Sequence, residues 1–217
     1  MTGLFVTLEG PEGGGKSTVG RWLKAELESR GYRVVLTREP GGTPLGEAVR
    51  AILLDARSSG MLPEVEALLN SGARAQHVAE VIKPGLSEGK IVISDRYADS
   101  TLAYQGAGRG LDLGVLSIIQ QFATRGLAPD LTLLFDVQYE VGQARRRMSG
   151  EVNRFDSDSR AFHERVRAYF LQAAGENPER WRVIAASGPL DSVEEQALRS
   201  VLERLESRRV ESGVGVL

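Results

Sequence analysis

The chain has 217 residues, a formal net charge of -2 and no cysteine. Its length suits one α/β core, its near-neutral charge argues against a nonspecific binder of nucleic-acid polymers, and the lack of cysteine excludes disulfides, thiolate metal sites and cysteine nucleophiles. The apolar stretch from Leu4 to Leu8 is too short for a signal segment and ends at Glu9, and no run approaches a membrane span, so a soluble cytoplasmic protein is expected.

In chain order, residues 3–9 read as a buried strand. The loop Gly10-Pro11-Glu12-Gly13-Gly14-Gly15-Lys16-Ser17 follows, then a helix over 17–30 that Gly31 stops. Residues 33–37 form a second strand, and Arg38-Glu39-Pro40-Gly41-Gly42 a turn at its C-terminal edge. Helices are expected over 45–54 and 64–86, the second with Val65, Leu68, Leu69, Ala73, Val78, Val81 and Ile82 as its apolar face. Apolar strands at 90–94 and 131–135 end in Asp95 and Asp136, the latter read as structural.

A helix over 140–148 closes on Arg145-Arg146-Arg147, and the break from Ser149 to Arg154 suggests a short arginine-rich lid, about residues 145–156. A helix over 155–174, a strand at 181–185 and a helix over 192–205 complete the pattern, with a fraying tail at 207–217; His77 and His163 receive no role. Strands alternating with helices predict a doubly wound parallel five-stranded sheet flanked by helices, in a single domain over 1–206.

The glycine loop matches G-x-x-x-x-G-K-[ST] between a strand and a helix, the setting in which backbone N–H groups wrap phosphate oxygens. In that reading Gly10 through Thr18 hold ATP, Lys16 reaches its β/γ-phosphates and Ser17 offers a hydroxyl to Mg²⁺, with Asp95 as the strand-end carboxylate beside it. Neither N-K-x-D nor a D-x-x-G switch is present, which favours a small-molecule kinase over a GTPase. Arg38, Arg50, Arg74 and Arg96 on separate elements suit an acceptor that already carries a phosphate. From these residues alone, a kinase of another nucleotide, or a protein that closes on ATP without turnover, stays open.

The set Gly10 to Thr18, Thr37-Arg38-Glu39-Pro40-Gly41-Gly42-Thr43, Asp95-Arg96-Tyr97 and Ala103-Tyr104-Gln105-Gly106 resembles the bacterial thymidylate kinase family over about residues 3–206. The resemblance implies transfer of the ATP γ-phosphoryl group to dTMP on a nucleoside-monophosphate-kinase fold, with Mg²⁺ held by Ser17 and Asp95. It implies that Glu12 meets the sugar 3′-hydroxyl, that Arg96 with Arg38 and Arg50 holds the acceptor phosphate, that Arg74, Thr101 and Gln105 read thymine, and that Tyr104 packs on the deoxyribose. With Gly13 and Gly14 in the loop where other members carry arginine, it assigns charge neutralisation to the lid, among Arg145, Arg146, Arg147 and Arg154, of which Arg147 and Arg154 are taken as catalytic. It also implies a homodimer, to which the apolar face of 64–86 can contribute. One position departs from the family: Asn70 stands four residues before Arg74, where phenylalanine is common.

Overall fold

A computed structural model describes residues 3–150, 154 and 158–211. Its centre is β1 (Leu4–Glu9), every residue of which is buried. On one side β1 pairs with β3 (Ile91–Asp95), which pairs with β2 (Val34–Arg38); on the other it pairs with β4 (Leu131–Asp136), which pairs with β5 (Trp181–Ala185). All four pairings are parallel and the order is β2-β3-β1-β4-β5, the doubly wound five-stranded sheet that the alternation of strands and helices predicts. The three central strands are near-continuous apolar runs because helices cover both their faces.

One face packs on α1 (Lys16–Ser29) and α9 (Leu190–Glu211) through Val19, Leu23, Leu27, Val193, Ala197 and Val201. On the other, α8 (Arg160–Glu176) seats Phe162, Val166 and Phe170 against Leu134 and Trp181, and Tyr97, Val78 and Ile82 pack on Phe5 and Val92. Among the described residues no helix is long and apolar enough to cross a membrane.

Four expectations change. The helix expected over 64–86 is α3 (Pro63–His77), a wider π-type turn over Val78–Ile82, and α4 (Lys83–Ser87). Pro84 accounts for the widening, since it supplies no N–H and its ring would meet the Glu80 carbonyl in a regular helix. The apolar face does not all point inward either: α3 buries Glu66, Ser71, Arg74 and His77 and leaves Leu68 58% exposed, because its inner side lines a polar cleft rather than a core.

The helix expected from 155 begins at Arg160, where the Ser159 side chain accepts from the Phe162 N–H at 3.3 Å; residues 155–157 lie outside the described ones. The tail expected to fray from 207 stays helical to Glu211, with Arg208 donating to the Gly3 carbonyl at 2.8 Å and to Asp130 at 2.9 Å. Residues 212–217 lie outside the description.

Candidate active site

The loop after β1 turns on glycines at left-handed φ. Gly13 has φ 74°, and a Cβ there would come within 2.3 Å of the Gly142 carbonyl oxygen. Lys16 opens α1 and turns back over this loop, donating through Nζ to the carbonyls of Gly10 at 3.0 Å and Pro11 at 2.7 Å. Burial, then the neighbouring Arg96, push its pKa down to about 8, against the pull of Glu12 and Asp95. Ser17, one residue on, donates its hydroxyl to the Asp95 carboxylate at the end of β3. Parallel pairing of β1 and β3 brings the two together, since Leu8 stands opposite Asp95.

Arg96 follows at φ 73°, a left-handed conformation that costs a side-chain-bearing residue about 1–3 kcal/mol. Three contacts hold it: Arg96 N–H to Leu8 O at 3.0 Å, Ser94 Oγ to Arg96 O at 2.7 Å, and Tyr97 N–H to the buried Glu9 carboxylate at 2.7 Å. The turn aims the guanidinium into the cleft, where it donates to Glu12 at 2.7 Å, Tyr104 Oη at 3.0 Å, Ser100 Oγ at 3.1 Å and Gly10 O at 3.2 Å. Burial works against both charges of the Arg96–Glu12 pair, yet each survives. Glu12 leads the groups that raise the Arg96 pKa, and Arg96, then Lys16 and Arg146, bring Glu12 down to about 2.

The cleft, about 970 Å³, also takes in Arg38 and Arg50. Arg38 pairs with Glu47 of α2 (Pro44–Leu54) at 2.9 Å, and Arg50 donates to Pro40 O at 3.0 Å. Burial, then Arg38, lower the Arg50 pKa.

At the far end α5 (Ala98–Thr101) and a second π-type turn over Leu102–Gly108 face α3. Arg74 is buried there with four N–H groups committed: to Glu39 at 2.7 Å, Thr101 Oγ1 at 3.0 Å, Tyr97 O at 2.9 Å and Gln120 of α6 (Leu113–Thr124). Glu39 also meets His77 Nδ1 at 2.8 Å, and His77 Nε2 lies 2.7 Å from Thr37 Oγ1. His77 therefore has a role that the sequence reading denied it: with Glu39 and Arg74 it pins the turn after β2 to α3. The nearest sequence signal was Glu39 itself, inside a stretch from which only Arg38 was read. Thr101, Tyr104 and Gln105 line the same end, as does Asn70, whose amide donates to Glu66 O at 2.8 Å.

The residues of the expected lid fall in different places. The helix α7 (Tyr139–Ser149) lies directly on the glycine loop, because Gly142 has no side chain; a Cβ there would stand 2.5 Å from Glu12 O. Residues three and four after Gly142 share its face of the helix. Arg145 accordingly donates to Ala186 O at 2.7 Å and lines the cleft with Arg146, whereas Arg147 falls on another face, exposed and outside the lining. Arg154 is buried against α3 and α2 rather than turned to the glycine loop, donating to Leu53 O at 3.1 Å and pairing with Glu66. The other residues of the expected lid after Gly150 lie outside the described ones. Asp136 is structural as read, held bidentately by Arg167 at 2.6 and 2.8 Å.

A family model described as thymidylate kinase matches residues 8–197. The thymidylate kinase of Pseudomonas fluorescens (strain SBW25) is 50% identical over 208 residues, covering 96% of this chain and 99% of that protein. That of Thermomicrobium roseum is 50% identical over 206 residues, 94% of this chain and 97% of the relative. A crystal structure of thymidylate kinase from Ehrlichia chaffeensis superposes with a TM-score of 0.74 at 35% identity, over 93% of this chain and 99% of that one. With the glycine loop, the Asp95-Arg96 turn and the arginine-lined cleft in one crevice, and with matches of this extent, the chain belongs to the thymidylate kinase family.

Proposed function

We infer that the chain transfers the γ-phosphoryl group of ATP to dTMP, giving dTDP and ADP. The observation that carries this is the crowding of cations along one cleft wall, where the pKa values of Lys16 and Arg50 are each lowered by burial and by a neighbouring guanidinium. Two anionic substrates meeting in that cleft would relieve the crowding. Phosphoryl transfer asks for such placement and charge neutralisation more than for a strong base.

In this reading the loop from Gly10 to Thr18 wraps the ATP phosphates, Lys16 leaves its carbonyl partners for the β/γ-phosphates, and Arg96 with Arg38 and Arg50 takes the acceptor phosphate. Glu12, released from Arg96, accepts from the sugar 3′-hydroxyl. Tyr104 packs on the deoxyribose, and Arg74, Thr101 and Gln105 face the base. Arg145 and Arg146 neutralise the transferring group, ahead of Arg147; Arg154 joins them only by leaving Glu66.

The residues present suit Mg²⁺: Ser17 and Asp95 bring one hydroxyl and one carboxylate together, and among the described residues no larger acidic or imidazole cluster could hold a metal. So sparse a set fits a cation that keeps waters and binds substrate phosphates. When bound, Mg²⁺ supplies charge neutralisation between the β- and γ-phosphates.

Pairing with a second copy is supported by an apolar surface across three neighbouring helices: Ile52 on α2, Leu68 on α3, and Val115, Ile118 and Phe122 on α6, with Phe122 85% exposed. Sedimentation of the unaltered chain and of Phe122→Asp checks this, a dimer becoming a monomer. An ADP-release assay across dTMP, dUMP, dCMP, dGMP, UMP and thymidine tests the reaction. A preference for dTMP is expected, and turnover without it overturns the acceptor assignment.

A further inference from the structure

Glu66 is wholly buried on α3, at 0% exposure, yet it is no part of the phosphate machinery. One carboxylate oxygen, Oε2, is taken by Arg154 and lies 3.5 Å from Arg109 Nη2. Arg109 is itself fixed, bidentate to Asp158 at 2.5 and 2.9 Å and stacked 4.5 Å from the Phe162 ring centre. The other oxygen, Oε1, accepts from Gln105 Nε2.

A carboxylate offers only acceptors, so the end of the Gln105 amide that meets it must be the NH₂. The Gln105 carbonyl is thereby left to the cleft that Gln105 lines. Nearby, Arg74, with four of its five N–H groups committed to the protein, keeps one Nη2–H as a donor. A donor beside an acceptor complements a pyrimidine edge that carries O4 and an N3–H, as thymine and uracil do. Cytosine shows the reverse, an amino donor and a bare N3.

Building on the activity inferred above, we propose that Glu66 sets the acceptor-base preference by holding the Gln105 amide with its carbonyl toward the cleft. The site then takes a pyrimidine monophosphate whose N3 bears hydrogen. Glu66 is a positioning residue: it acts through Gln105 and does not touch the base. A site with a fixed acceptor rejects a ligand that leaves that acceptor unpaired far more strongly than an apolar wall could.

The test is Glu66→Gln, which keeps size but brings an amide of its own. Its oxygen faces Arg154, its NH₂ faces Gln105, and Gln105 is free to turn its own NH₂ to the cleft. The kcat/KM ratio of dTMP to dCMP is expected to fall at least about tenfold, chiefly through a higher KM for dTMP, with dUMP falling alongside dTMP and KM for ATP unchanged. Glu66→Asp keeps an acceptor-only group and should retain the preference, and Glu66→Gln added to Gln105→Leu should cost nothing further. An unchanged ratio in Glu66→Gln, or an equal loss on every acceptor, overturns the proposal while the unaltered chain still phosphorylates dTMP. An unaltered chain that does not use dTMP removes the activity reading and this inference with it.

Discussion

The two ends of the cleft are built by different means. At the phosphate end one short stretch does nearly everything: glycines bend the backbone, and Glu12, Lys16 and Ser17 lie within six positions of one another. Its cations sit close together, and burial and Arg96 pull the Lys16 pKa down to about 8, so it gives up some charge stability to be ready for a ligand. At the base end the charges neutralise each other inside the protein, where Glu39 holds Arg74 and His77 and Glu66 holds Gln105 and Arg154, residues drawn from distant parts of the chain. At the phosphate end the cations rest on backbone carbonyls and on carboxylates that line or border the open cleft, partners that an anionic ligand can replace, whereas at the base end they are locked into a buried network. Substitutions at the phosphate end should therefore cost rate, and those at the base end should cost stability.

The largest effect is expected from Lys16→Ala. Loss of the ammonium should lower kcat/KM by about 10³-fold, and steady-state assays beside a thermal melt should show no loss of stability. A melting temperature reduced as far as by base-end variants would break the contrast. Arg96→Ala should follow, lowering kcat/KM for dTMP about 10²-fold, as expected for a buried charge-assisted partner, with ATP affinity less affected. Unchanged dTMP kinetics would remove Arg96 from the acceptor site.

Glu39→Ala tests the other end. It leaves Arg74, only 2% exposed, without its carboxylate, and should cost about 3 kcal/mol of stability, which is about 10 °C in Tm at this chain length. A melt matching the parent would show that the base end is not held by this pair. The smallest effect is in pH. In its proposed role Lys16 binds phosphate as its ammonium, and its free-state pKa is lowered to about 8. KM for ATP should be flat below about pH 7 and rise by up to about tenfold per pH unit above 8. A profile flat to pH 9 would mean that burial and Arg96 do not depress the lysine.

The same contrast explains how much was legible in the sequence. The parallel five-stranded sheet and the phosphate loop follow from local signals: apolar runs with glycine punctuation, and a motif whose chemistry lies in consecutive residues. The Ser17–Asp95 pair was within reach because Ser17 closes the glycine motif after one strand and Asp95 ends the parallel strand beside it. His77, Glu39, Glu66 and Gln120 were not, because a buried polar network leaves no periodicity and its members come from the β2 turn, α3 and α6. Periodicity also misread α3, whose inward face is polar, while Val65 and Leu68 on its outward side looked like core. Three consecutive arginines cannot share one helix face, and the sequence carries no sign that Gly142 turns Arg145 and Arg146, rather than Arg147, toward the loop.

That contact, Gly13 against Gly142, ties two distant positions into one steric unit. Any side chain at Gly13 would occupy the space of the α7 backbone, and any at Gly142 the space of the loop. An arginine at Gly13 would have to displace this helix, and with it Arg145 and Arg146. A cationic side chain at Gly13 and this seating of the helix are thus sterically exclusive.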